Sequence, residues 1–208
     1  MEVPTKEEWK ILELYRQNIL EGYTIPEIMR KLGKNSYSWA FNSVKKLKGA
    51  GILKSKRTGH SDSYYLDLNS SVSTSHLSFI EESMAQSAKL PQRNINDLLR
   101  EIPLAYFSFI ITGSYANEQA TKKSDLDVVI IIENGLDTKK ILNVIRNKGS
   151  LMVPEVHPYV FTRDEFLDML LSKEENYGKM IFRNKMVIFG AQNYYLILRE
   201  AIENGFHG

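Results

Sequence analysis

Residues 113–132, GSYANEQATKKSDLDVVIII, carry most of the information about fold and chemistry in this sequence. Tyr106–Thr112 before them is rich in aromatic and β-branched residues, and an apolar run follows the two aspartates, so strands are predicted on both sides. Asp125 and Asp127 are two positions apart where the second strand begins. Their side chains therefore project from one face, while Leu126 points into the core. The pattern predicts two neighbouring carboxylates at the edge of a buried sheet.

The residues around this carboxylate pair indicate its chemistry. Adjacent carboxylates repel each other unless a cation lies between them, and grouped oxygen ligands suit Mg²⁺ or Mn²⁺ together with substrate phosphates. Gly113 allows a close backbone approach to phosphates, and Ser114 adds a hydroxyl and an amide donor. The predicted nucleotide-binding residues are Gly113, Ser114, Lys123 and Ser124, and the predicted metal ligands, which are also predicted to be catalytic, are Asp125 and Asp127.

Two segments, Gly113–Ala116 and Ser124–Ile130, closely resemble the signature of the polymerase-beta-like nucleotidyltransferases, and most of all their minimal branch. That signature is a Gly-Ser turn followed by Asp-x-Asp entering a strand, and here ten residues, 115–124, separate the two parts. The resemblance spans roughly residues 100–195 and implies a nucleoside triphosphate donor and a divalent metal ion. Minimal nucleotidyltransferases often act with small helical toxin-like proteins, so such a partner is expected, although the chain contains no such domain.

The chain departs from this signature at two places. Family members often have Ala-Arg-Gly where residues 116–118 are Ala-Asn-Glu, which bears on how the triphosphate is held. The family also has a third carboxylate on a neighbouring strand, and Glu155 is the only acidic residue within 138–163. Glu155 shares a strand face with His157 and Tyr159 and is predicted to be catalytic, as third ligand or general base. The alternative is a solvated residue at the start of the strand.

These departures leave two functions open. In the first, the domain transfers a nucleoside monophosphate to a hydroxyl of a protein side chain, an RNA end or a small molecule, and no acceptor motif selects among them. In the second, the protein is a DNA-binding transcription regulator whose degenerate domain only senses a nucleotide. Release of pyrophosphate distinguishes the two.

The N-terminal part of the chain predicts a different module. Apolar spacing and capping signals predict helices over residues 7–19, 25–32 and 36–49, followed by two strands on either side of a polar tip at residues 54–63. This order resembles a winged helix-turn-helix over residues 5–68.

We expect this module to bind DNA, with the third helix in the major groove and the wing at phosphates. Residues 28–61 contain nine Lys/Arg and no acidic residue, which indicates an anionic partner. The alternative is a winged helix that mediates only protein contacts. The predicted DNA-binding residues are Ser36, Ser38, Asn42, Lys45 and Lys46 in the third helix and Lys54, Lys56 and Arg57 in the wing.

Three segments are predicted along the chain: a winged helix at 1–72, a linker with connecting helices at 73–100, and a nucleotidyltransferase domain at 101–208. Alternating strands and helices assign the last segment to the α/β (α+β) class with a mixed sheet. The Ser-rich residues 69–75 are predicted to be irregular. Apolar faces within residues 77–101 favour a homodimer.

Composition excludes several classes of protein. The chain has no Cys, which rules out disulfides, thiolate zinc sites and Cys nucleophiles. The charged N-terminus has no apolar signal core, and no apolar run approaches the roughly 20 residues that a membrane span needs. The expected location is the cytoplasm, without membrane contact.

Overall fold

The computed structural model describes residues 4–59 and 61–208 and divides the chain into two compact units, Met1–Ile80 and Glu81–Gly208. Each unit is described by itself below. Among the described residues, no helix combines the length and apolar character needed to cross a bilayer.

Three helices open the N-terminal unit: α1 (Lys6–Gln17), α2 (Ile25–Leu32) and α3 (Tyr37–Gly49). Each begins at a hydroxyl residue that accepts a hydrogen bond from the first turn, and the first two form complete capping boxes. At the end of α2, Gly33 takes the left-handed conformation that stops a helix. The predicted order of three helices is therefore confirmed, and so is the predicted cap of α2 at Thr24.

A hairpin follows the helices, formed by β1 (Leu53–Thr58) and β2 (Ser61–Leu66). The strands pair from Leu53 opposite Leu66 to Thr58 opposite Ser61, so the prediction of an irregular tip at residues 54–63 is wrong. Backbone pairing satisfies the backbone polar groups of the paired residues, and the side chains of Lys54, Lys56, Arg57 and Asp62 are exposed. The remaining tip residue, His60, lies outside the described residues.

The Ser-rich segment is also more ordered than predicted, because α4 runs from Ser71 to Ser87. Hydroxyls bond to its backbone: Ser70 Oγ, just before the helix, accepts from Ser73 N at 3.4 Å, and Ser78 Oγ donates to Thr74 O at 2.9 Å. The prediction of an irregular stretch at residues 69–75 is therefore wrong from Ser71 onward.

The apolar faces expected to form a homodimer are largely buried within the chain itself. Leu77, Ile80, Ile95 and Leu98 are each no more than 3% exposed. Phe79 is exposed, and its ring lies 4.8 Å from that of Trp9. The surface that favoured a dimer is thus mostly interior, and the basis of that expectation is removed.

A four-stranded mixed sheet forms the centre of the C-terminal unit, in the order β5-β4-β3-β6. Strands β4 and β5 are parallel, and the other pairs are antiparallel. This confirms the mixed α/β class. The elements are α5 (Gln92–Glu101), β3 (Phe107–Ile111), α6 (Gly113–Ala116), β4 (Leu126–Ile132), α7 (Thr138–Gly149), β5 (Val156–Thr162), α8 (Arg163–Leu171), α9 (Tyr177–Arg183), β6 (Met186–Phe189) and α10 (Ala191–Glu203).

The core of this unit holds β4 in place. Every residue from Val128 to Ile132 is at most 3% exposed, and α5 and α7 contribute buried side chains, including Leu98 and Ile145, to the same apolar cluster. Burial of this kind stabilises a fold by about 25 cal/mol per Å² of apolar surface. Strand β4 is thereby fixed, while the side chains of Asp125 and Asp127 at its start reach solvent.

Candidate functional site

The parallel pairing of β4 and β5 brings three carboxylates to one edge of the sheet. Asp127 lies opposite His157 in the register, and Leu126 N donates to Glu155 O at 2.7 Å. Both strands therefore begin at the same edge, with Asp125 and Glu155 immediately before them. The structure thus brings together the three residues predicted to be catalytic.

His157 lies among these carboxylates. Its Nε2 is 3.9 Å from Asp125 Oδ2 and 3.9 Å from Glu155 Oε1, and its Nδ1 is 3.9 Å from Asp127 Oδ1. His157 is not among the site residues predicted from the sequence. The available signal was its position two residues after Glu155 on one strand, which places both side chains on the same face.

Gly113 lies against Asp127. Its φ is +68°, and a Cβ at this position would lie 2.3 Å from Asp127 Oδ2. Only glycine combines this left-handed backbone with so close a carboxylate. The Gly-Ser turn therefore packs directly on the edge that holds the carboxylates, in addition to its predicted role towards phosphates.

Asn184, in the connection between α9 and β6, holds this turn in position. Its Nδ2 donates to Gly113 O at 3.0 Å, and its backbone O accepts a hydrogen bond from Thr112 Oγ1 at 2.6 Å. Thr112 N in turn donates to Asp127 O at 3.1 Å. Asn184 was not predicted, because this partnership spans about seventy residues of sequence and leaves no local pattern.

The other predicted nucleotide-binding residues occupy the segment between the turn and β4. Ser114 is partly buried in α6, and its carbonyl accepts a hydrogen bond from Gln119 N at 2.8 Å. Ser124 Oγ accepts from Thr121 N at 2.9 Å and so shapes a local turn, while Lys123 is exposed. None of these three makes a described hydrogen bond to Asp125, Asp127 or Glu155 among residues 4–59 and 61–208.

Glu118 marks the departure from the family signature. Its φ is +60°, and no other non-glycine residue in the described chain has a positive φ. This is the position at which family members often have Gly, a residue that adopts such a conformation without steric cost. The backbone thus keeps a conformation suited to Gly although the side chain differs.

Two tyrosines cover the sheet face beside the carboxylates. The rings of Tyr159, on β5, and Tyr177, on α9, lie 4.7 Å apart. Burial raises the pKa of Tyr177, and the neighbouring Tyr159 and the charge of Asp127 act in the same direction. Tyr177 therefore stays protonated, and its ring lies beside the carboxylate edge.

The environment of Asp127 disfavours its charge. Burial raises the pKa of this carboxyl, the nearby His157 lowers it, and Asp125 raises it further. The net shift is upward. A cation at this edge would offset both the burial and the repulsion from Asp125.

The donor atoms present fit a divalent metal ion. One ligand atom from each of Asp125, Glu155 and His157 lies within 4.8 Å of the others, and all three residues are exposed. Carboxylate oxygens are the ligands that Mg²⁺ and Mn²⁺ favour. The edge can therefore hold a cation and remain open to a substrate.

The raised pKa of Asp127 makes the stability of the metal-free protein depend on pH. A carboxyl whose pKa is higher in the folded state adds stability below its unfolded pKa, and that stability is lost as pH rises through the folded value. With metal chelated, we expect the Tm of the native protein, relative to Asp127→Asn, to fall as pH rises from about 4 to about 7. Thermal melts of both proteins over this range test it, and a difference that stays constant or grows the other way contradicts the assignment.

Most of the predicted DNA-binding side chains reach solvent. Ser36, Ser38, Asn42 and Lys45 are exposed on α3, and Lys54, Lys56 and Arg57 are exposed on β1. Lys54 Nζ lies 3.8 Å from Asp67 Oδ1. Lys46 differs, because its Nζ bonds to Glu8 Oε2 at 3.1 Å, and Glu8 is only 6% exposed. Lys46 therefore has a structural partner within the unit.

A comparison with protein families matches part of the C-terminal unit. Residues 93–182 match the family model described as nucleotidyltransferase domain, from the start of α5 into α9. The match confirms the prediction of a nucleotidyltransferase domain in this part of the chain. The three helices and the hairpin of the N-terminal unit, and all of α4, lie outside it, so the winged helix stays a prediction. Neither a curated protein nor a solved structure matched the chain.

Proposed function

We propose that the C-terminal unit transfers a nucleoside monophosphate from a nucleoside triphosphate to a hydroxyl acceptor. The observation that carries this proposal is the convergence of Asp125, Asp127 and Glu155 at one sheet edge, against the backbone turn of Gly113. The match of residues 93–182 to the nucleotidyltransferase family supports the same reaction class.

The reaction forms one bond and breaks one. The acceptor oxygen attacks the α-phosphorus, the bond from that phosphorus to the bridging oxygen breaks, and pyrophosphate leaves. In this proposal one carboxylate oxygen of Glu155, whose side chain is 67% exposed, accepts the hydroxyl proton, and its other oxygen stays available to the ion. A bound Mg²⁺ or Mn²⁺ would offset the negative charge of the triphosphate.

The residues of the chain position the substrate for this step. Asp125 and Asp127 provide the cation site, and Gly113 and Ser114 present backbone amides at the adjoining turn. Asn184 holds that turn through Gly113 O, so it acts as a positioning residue. In this proposal Lys123, which is exposed in the segment before β4, contributes a positive charge to the triphosphate tail.

Incubation of the full chain with labelled nucleoside triphosphates and Mg²⁺ or Mn²⁺ tests the proposal. Release of pyrophosphate together with a labelled acceptor is expected. Tight nucleotide binding without any release would instead favour the second function, a DNA-binding regulator that senses the nucleotide. The specific observation behind that second function is Glu118, which occupies a position that family members often fill with Gly.

We also propose that the N-terminal unit binds DNA. Its support is the basic segment 28–61, with nine Lys/Arg and no acid, and the exposure of the polar side chains on α3 and β1. Each Lys or Arg at a phosphate releases counterions, so it adds about 0.9 to the slope of log affinity against log salt.

Replacing Lys45, Lys56 and Arg57 together with alanine is expected to weaken duplex DNA binding and lower the salt slope by up to about 3. Lys46 is kept, because removing it would leave the buried Glu8 without this ion pair. The matched control replaces three exposed lysines of the other unit, Lys139, Lys140 and Lys173. Equal losses in the two triple variants, measured by fluorescence anisotropy, would assign the binding to net charge alone.

A further inference from the structure

We propose that His157 is a nitrogen ligand of the active-site ion, shared with Asp125 and Glu155, and that it turns the metal preference of the site from Mg²⁺ towards transition-metal ions. The inference rests on the metal site of the proposed function, although it does not require turnover. Its support is the position of the imidazole between the carboxylates.

The distances around Nε2 suit a shared ion better than hydrogen bonds. Both Asp125 Oδ2 and Glu155 Oε1 lie 3.9 Å from this nitrogen, beyond the roughly 3.2 Å limit of a hydrogen bond. Two atoms bound to one ion at about 2.1 Å can be up to about 4.2 Å apart, so both pairs fall within that limit. One ligand atom from each of the three residues lies within 4.8 Å of the others. Small rotations of these exposed side chains would bring all three atoms to bonding distance from one ion.

The second ring nitrogen of His157 faces the third carboxylate of this edge. Its Nδ1 lies 3.9 Å from Asp127 Oδ1. A metal-bound imidazole usually donates its other N–H to a carboxylate, which fixes the ring and its tautomer. At 3.9 Å this pair is longer than a hydrogen bond, so Asp127 takes this role only once the ring has turned towards it.

The position of the His157 imidazole is set by the strand that carries it. His157 follows Val156, which is 4% exposed, and it is paired in register with Asp127 on the parallel neighbour β4. Its side chain is 46% exposed, as open to solvent as that of Asp125 at 48%. A histidine that only neutralised these acids would be expected at hydrogen-bond distance from one of them, and none of the three distances is that short.

The chemical consequence is selectivity between metal ions. Mg²⁺ binds oxygen ligands almost exclusively, whereas transition-metal ions accept imidazole nitrogen readily. Replacing one carboxylate of an all-oxygen set with His157 therefore costs Mg²⁺ affinity and leaves a mixed nitrogen and oxygen set. Mn²⁺ is the suitable probe, because it is paramagnetic and stands at the weak end of the transition-metal affinity order.

Pulsed EPR of Mn²⁺ bound to the full chain tests the inference directly. The native protein should show a nitrogen nucleus coupled to the ion as a direct ligand, and labelling histidine with ¹⁵N should change that coupling. His157→Gln should abolish it and weaken Mn²⁺ binding by about tenfold or more, with Mg²⁺ binding changed much less. His207→Gln, at an exposed histidine, is the matched control and should keep the coupling.

The outcomes separate this inference from the proposed reaction. Bound Mn²⁺ without nitrogen coupling, or coupling insensitive to ¹⁵N-histidine, overturns the role of His157, even if pyrophosphate is released. Nitrogen coupling without transfer overturns the reaction and leaves the His157 site standing. The isotope experiment uses the native chain, so it stays decisive even if His157→Gln fails to fold.

Discussion

Replacing Asp125 and Asp127 together with asparagine is expected to lower metal-dependent nucleotidyl transfer by about 10³-fold or more. Both carboxylates face the edge at which the cation and the triphosphate are proposed to bind, and asparagine cannot supply the negative charge. The effect of the pair should be close to that of either single change, because residues that act as one unit are not additive. Initial rates of pyrophosphate release from the native and variant proteins measure it.

The fold should survive this double change. The side chains of Asp125 and Asp127 are 48% and 31% exposed. The pKa of Asp127 is raised in the folded protein, so its negative charge is unfavourable there without a metal ion, and its removal costs no stability. Metal-free thermal melts of the variant should therefore show no loss of stability. Asp168→Asn, at an exposed acid on α8, is the matched control and should keep full activity. Transfer that persists in the double variant would place the reaction elsewhere in the chain.

Gly113→Ala is expected to separate stability from activity. Alanine in a left-handed backbone costs about 1–2 kcal/mol, and the new Cβ would lie 2.3 Å from Asp127 Oδ2. A carboxylate is the mobile end of a side chain, so Asp127 should rotate away while β4 stays in place. Displacing a reacting group by about 1 Å can reduce the rate by about 10²-fold. A large loss of kcat with a modest loss of stability is therefore expected.

Gly135→Ala provides the control for the backbone part of this effect. Gly135 has a φ of +78°, and a Cβ there would meet nothing within 4 Å. Its substitution should cost similar stability, measured by denaturant unfolding of the C-terminal unit, and leave the transfer rate nearly unchanged. If both glycine variants lose activity equally, backbone strain rather than contact with Asp127 explains the loss.

Local features of this protein were predictable because neighbouring residues encode them. Thr24 and Glu27 form the capping box expected from their spacing, and Gly33 ends the helix as predicted. The apolar run Val128–Ile132 is a buried strand, and α8 begins at Thr162 as its own capping box requires. Each of these signals lies within a few residues, so the sequence pattern alone contains it.

Two local predictions were wrong because polar composition was taken to indicate loops. The stretches at 54–63 and 69–75 are polar, which indicated loops, yet the first is largely strand and the second largely helix. In the hairpin, cross-strand pairing outweighs the turn-forming composition. The hydroxyls of Ser70, just before α4, and Ser78 bond to the backbone of that helix and remove the competition that usually disfavours serine there.

By itself, the sequence determined the helices with their caps, the buried strand and the pair Asp125 and Asp127 on one strand face. Only the tertiary structure decided that Glu155 joins that pair, that His157 stands among all three acids, and that Asn184 holds the turn of Gly113. The physical reason is the separation along the sequence between the residues that interact. A cap or a strand face depends on residues a few positions apart, whereas a parallel register and a hydrogen bond across about seventy residues depend on how the whole sheet closes.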